Sequence, residues 1–86
     1  MANSAGEKQV IERFYTSLDV IIAMGKIRGI KTFCGLYGID RRNLYRQRKE
    51  LDGGWFNVSW LQPMVRDYGI SATWLLLGTG RMFEGQ

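Results

Sequence analysis

Glycine cuts this chain into short pieces. Gly25 and Gly29, Gly38, Gly53 with Gly54, Gly69, and Gly78 with Gly80 each follow a stretch whose apolar residues recur at three- or four-residue spacing. That recurrence puts the apolar side chains on one face of an α-helix. Glycine just past such a stretch supplies the left-handed backbone on which helices commonly end. No segment alternates apolar and polar residues over a useful strand length. The expectation is an all-α fold, a compact bundle of about five helices in a single domain spanning residues 1–86.

Each piece can be read in turn. Met1–Gly6 is small and polar and is expected to fray. Ser4, or a residue just after it, starts a long amphipathic helix carrying Val10, Ile11, Phe14, Leu18, Ile21 and Ile22, which ends at the GKIRG stretch, Gly25–Gly29. A second, short helix covers Lys31–Tyr37, and a third covers Arg41–Glu50 with Asp40 as its N-cap. Asn57 caps a fourth helix running to about Tyr68, with Pro63 near its start, where the ring is tolerated or kinks the helix. Ser71 caps a fifth, Ala72–Leu77. Trp60 and Trp74 lie on apolar faces and are expected in the core, with Trp55 and Phe56 as a lid over it. Met64 and Met82 read as gap fillers.

A chain of 86 residues must make this fold without covalent help. It has one cysteine, Cys34, and no histidine, so neither a disulfide scaffold nor a zinc site can be assembled. The missing histidine also removes Ser-His-Asp and Cys-His chemistry, so no catalytic residue, metal or cofactor is expected. The folding force has to come from its apolar residues, 45% of the chain, among them three Trp, four Phe and four Tyr. The longest apolar run, Val20–Met24, is far short of the ~20 residues that span a bilayer, and MANSAGEKQ lacks a signal-peptide core. Cytoplasmic location is the expectation.

The net charge of +4 is unevenly placed. Lys26, Arg28, Lys31, Arg41, Arg42, Arg46, Arg48 and Lys49 crowd one region that holds a single acid, Asp40, while both flanks are mildly acidic. A concentrated positive patch suits a polyanion, although a charge run is just as often a solvated helix face.

The two short helices around Gly38 have the layout of a helix-turn-helix. Such a unit needs a small residue where the second helix crosses the third, a turn residue tolerant of positive φ, an apolar anchor after it and an apolar pin into the core. Cys34, Gly38, Ile39 and Leu44 meet these demands, with Phe33 and Tyr37 completing the inner face. With Leu44 turned inward, Arg42, Tyr45, Arg46 and Lys49 span the opposite sector of the third helix, Arg41 and Arg48 its flanks, and Asn43 the other side.

The stretch Ile30–Lys49, IKTFCGLYGIDRRNLYRQRK, resembles the helix-turn-helix of lambda-repressor-like regulators, in which a small residue, a glycine and a branched apolar residue occupy these positions. The closing stretch Tyr68–Phe83, YGISATWLLLGTGRMF, is similar to the tail of phage-repressor-type members, and the likeness covers roughly residues 10–83. Gln47 stands where the family usually has an apolar core residue, and Lys31 where it often has a glutamine at the first phosphate contacts. Gly35 and Gly38 also weaken so short a second helix, by up to ~1 kcal/mol for a glycine in a helix interior.

The resemblance implies a sequence-specific DNA-binding transcription regulator with helix 41–50 in the major groove of double-stranded DNA. Arg42, Tyr45 and Arg46 are then the base-reading candidates. Arg41 and Lys49 would hold phosphates, Asn43 lies beside them, and Lys31 and Thr32 would meet the backbone from the start of the second helix. Family members with this tail often continue into a C-terminal oligomerisation or self-cleaving domain. A homodimer through the first or fifth helix, or a further domain, is expected accordingly. Two other functions fit the same residues: an interaction module that keeps the fold without specific DNA binding, and a nonspecific nucleic-acid binder.

Overall fold

A computed structural model describes residues 4–84. They form five helices: α1 (Ala5–Ala23), α2 (Ile30–Tyr37), α3 (Arg41–Lys49), α4 (Leu61–Arg66) and α5 (Ala72–Leu77), with a single 3-10 turn, Val58–Trp60, leading into α4. The all-α reading holds, and no strand occurs among the described residues. None of the described helices is long and apolar enough to cross a membrane.

The N-terminus is more ordered than its composition suggests. Ser4 extends its backbone and its side chain accepts a hydrogen bond from the Glu7 N–H at 3.1 Å, so the expected fraying of residues 1–6 does not extend to Ala5 and Gly6, which are helical. Its remaining part, Met1–Asn3, lies outside the described residues. Asp40, Asn57 and Ser71 cap in the same way, accepting from Asn43, Ser59 and Trp74. A capping side chain of this kind satisfies one of the free N–H groups that every helix start leaves over.

The fourth helix is shorter than the expected Asn57–Tyr68. Asn57 does cap its first turn, but that turn is 3-10, and the α-helix proper ends at Arg66. Pro63 is only the third residue of α4, where its missing N–H has no helical partner to lose, so the ring is tolerated and itself buried. The third helix also stops one residue early, at Lys49, with Glu50 as its C-cap.

Everything packs around Phe14, which has no exposed surface. Its ring meets Tyr15 and Phe56 edge-on at centroid distances of 5.1 and 5.4 Å and lies tilted against Trp60 at 6.0 Å and Phe33 at 6.3 Å. One side chain of α1 thus touches α2, the 3-10 turn and the loop before it. Edge-to-face rings gain ~0.5–1.5 kcal/mol beyond the area they bury. Leu18, Ile21, Leu44, Met64, Ile70 and Leu75 fill the remaining interior. Phe56 is the lid its sequence position implied. Trp60 is core, and Trp74 and Met82 are half-buried at its edge.

The tail folds back on the chain. Ser71 N–H donates to the Met82 carbonyl at 2.7 Å and Glu84 N–H to the Gly69 carbonyl at 2.9 Å, which pairs Ile70 with Phe83. Arg13 then reaches from α1 to donate to the carbonyls of Leu75 (2.8 Å) and Leu76 (3.0 Å), where α5 ends. A cation there also opposes the negative end of the helix dipole.

Candidate nucleic-acid interface

The turn between α2 and α3 is three residues long. Gly38 takes the left-handed conformation, φ 65°, ψ 34°, and its N–H returns to the Cys34 carbonyl. A side chain here would cost ~1 kcal/mol or more in backbone strain. Ile39 follows and is buried, Cys34 is buried under the crossing, and Leu44 is fully enclosed. All four positions demanded by the spacing are therefore filled as required. The buried surroundings of Cys34 push its thiol pKa above the usual value, so it packs as a small apolar group.

α3 is fixed to the core from two directions. The Tyr15 hydroxyl, buried beneath it, donates to the Leu44 carbonyl at 2.7 Å, and burial drives that phenol's pKa well up. The second fixing point is Gln47, the polar residue at an apolar position. Its side chain has no exposed surface, and its amide oxygen accepts the N–H groups of both Trp55 and Phe56 at 2.9 Å. Its amide nitrogen donates to the carbonyls of Leu51 (3.1 Å) and Glu50 (3.3 Å). An apolar residue there would take away the oxygen that the Trp55 and Phe56 N–H groups share. Gln47 is thus the brace of the loop after α3, which gives a polar residue at this apolar position a structural reason.

The opposite face of α3 is open. Arg41, Arg42, Tyr45, Arg46 and Lys49 are all exposed, while Asn43 is half-buried with its N–H taken by the Asp40 cap. Arg41, Arg42, Arg46 and Lys49 have no carboxylate partner among the described residues. The cations around them are differently placed. Arg48 lies over the Tyr15 ring and makes a two-pronged pair with Asp19, Lys8 pairs with Asp52 at 2.8 Å, and Arg66 pairs with Asp67. Arg13 is used on α5. The hydrogen bonds that Arg48 donates to Asp19 raise its pKa further, and those from Arg66 and Tyr37 hold Asp67 below the ordinary carboxylate value.

Lys31 and Thr32 are exposed in the first turn of α2, whose N-cap Gly29 makes no side-chain cap. They belong to a different helix from the α3 cluster. Sequence reasoning missed the loop beyond α3: the Arg46 guanidinium carbon sits 5.6 Å from the centre of the Trp55 ring. The only signal for it was the tryptophan itself. No cluster of three or more metal-ligating side chains occurs among the described residues. No family model, curated protein or solved structure matches the chain.

Proposed function

We propose that the protein is a sequence-specific DNA-binding regulator that lays α3 in the major groove. One observation supports this above the others: four cations, Arg41, Arg42, Arg46 and Lys49, gather on one open helix face with no carboxylate partner among the described residues, while Lys8, Arg13, Arg48 and Arg66 each serve an acid or a carbonyl. Four like charges at helical spacing repel one another slightly, which offsets part of what Arg46 and Lys49 contribute in the last turn against the helix dipole. Opposite a duplex they become useful. Arg42 and Arg46 have the planar fork that matches guanine O6 and N7, Tyr45 can reach a phosphate or a thymine methyl, and Arg41 and Lys49 suit phosphates. Lys31 and Thr32 would add backbone contacts. Reading two half-sites would take two copies about one DNA turn apart.

Fluorescence anisotropy at two salt concentrations tests this. Binding to random duplex should weaken steeply with salt, with a log–log slope of about −3 to −5 if four or five cations engage. Sequences selected from a random pool should bind at least ~10³-fold more tightly than random duplex. Equal affinity for all sequences would favour the nonspecific reading.

A second reading, an interaction module, draws on a different surface. Leu61, Val65, Leu75 and Leu76 line an open apolar groove, and Val58 (76%) and Leu77 (70%) stand largely exposed. Absence of duplex binding even at low salt would favour it.

A further inference from the structure

Arg46 differs from its neighbours on the open face of α3. Arg41, Arg42 and Lys49 project from the helix with neither an ion pair nor a ring contact among the described residues, whereas the Arg46 guanidinium lies against Trp55. Three features of the loop fix where that ring stands. Gln47 takes the Trp55 N–H on its amide oxygen and holds the loop's other end through the Glu50 and Leu51 carbonyls, so one enclosed side chain ties the loop at both ends. Phe56, the next residue, is seated edge-on against Phe14 and Trp60. Gly53 runs close against the indole: a Cβ at Gly53 would fall 2.1 Å from Trp55 Cζ3 and 2.3 Å from Cε3, so any side chain there would force the ring to shift.

A side chain as long as arginine samples many rotamers when free, and ordering it on binding is costly. A ring held in advance beside the guanidinium removes part of that cost and narrows the directions in which the fork can point. Building on the DNA-binding reading, we propose that Trp55, braced by Gln47 and seated on Gly53, is a positioning residue that presets Arg46 as a specificity determinant. Arg42, without such a platform, reads its base by adapting. The loop contributes to discrimination without itself having to touch a base.

Two measurements test this. In the free protein, the Arg46 δ-methylene protons should be shifted upfield by the Trp55 ring current, retained in Trp55→Phe and lost in Trp55→Leu. With a selected duplex pool, Arg46→Ala should flatten preference at one base pair. Trp55→Leu should reduce discrimination at that same pair by about tenfold, within the range of one bidentate base contact. Its affinity for random duplex should stay within about twofold, and Trp55→Phe should restore most of the preference. Thermal melts confirm that both variants remain folded, and Gly53→Ala, which displaces the ring, should repeat the Trp55→Leu result.

An Arg46 signal at its random-coil position in the wild type overturns the proposal whatever the DNA result. So does unchanged discrimination in Trp55→Leu, or a loss spread evenly over all base pairs. Failure of the DNA reading looks different: the wild type shows no base preference while the Arg46 shift is present, which overturns the specificity role and the function together.

Discussion

Replacing Gln47 with leucine sets two physical effects against each other. Leucine has nearly the same volume, and exchanging a buried amide for it favours the fold by ~1–2 kcal/mol of apolar burial. Against this, Trp55 and Phe56 lose the oxygen that accepts both their N–H groups, and the weaker bonds to the Glu50 and Leu51 carbonyls go as well. Each stranded N–H costs ~1–3 kcal/mol if it stays dry. Both residues are half-buried, so water reaches only part of the way in and the middle of that range, ~2 kcal/mol for each N–H, applies. The balance is a loss of about 2 kcal/mol, a sizeable share of the ~5–15 kcal/mol that holds a small domain together. Urea unfolding followed by tryptophan fluorescence should show the midpoint falling by ~1 M with little change in slope, and a melt should drop by ~8–16 °C. A Gln47→Leu protein as stable as the wild type, or more so, would refute the view that this amide braces the loop.

Arg42→Ala should flatten preference at one base pair at a cost of ~1–3 kcal/mol, whereas Lys49→Ala should weaken all duplexes alike and lower the salt slope by about one; competition binding at several salt concentrations separates the two. Cys34 should react with a thiol reagent at mildly alkaline pH far more slowly in the native protein than in denaturant, because it is buried and its thiol pKa is raised. The Tyr15 pKa lies above its unfolded value, so its neutral form favours the fold below pH ~10 and that contribution is lost as pH rises further. Tyr15→Phe should therefore be less stable at pH 7, by ~1 kcal/mol for the lost bond to Leu44, yet lose less stability between pH 9 and 11 in urea titrations.

What could be read without coordinates was what depends on neighbours in the chain. Gly38, Ile39, Cys34 and Leu44 behave as their spacing required, because helix geometry alone puts them on the inner side of the turn. The caps Ser4, Asp40, Asn57 and Ser71 were equally visible, since a cap bonds within three residues of itself. Gln47 was visible only as a polar residue out of place. Its partners are backbone groups, up to nine positions away, and backbone carries no residue identity for a pattern to detect. The partition of cations was hidden for the same reason. Nothing local distinguishes Arg48, which meets Asp19 on another helix, from Arg42, which meets no acid among the described residues. The shortened α4 reflects a tight 3-10 entry after Asn57, where periodicity alone suggested continuous α-helix.

The reach of Arg13 to the end of α5 links residues 62 positions apart. A helix of six residues has no stability of its own in water, where even favourable sequences need ~12–15. α5 thus exists on loan from α1: its amides should exchange with solvent only when the whole molecule opens. Such a protein has no stable half.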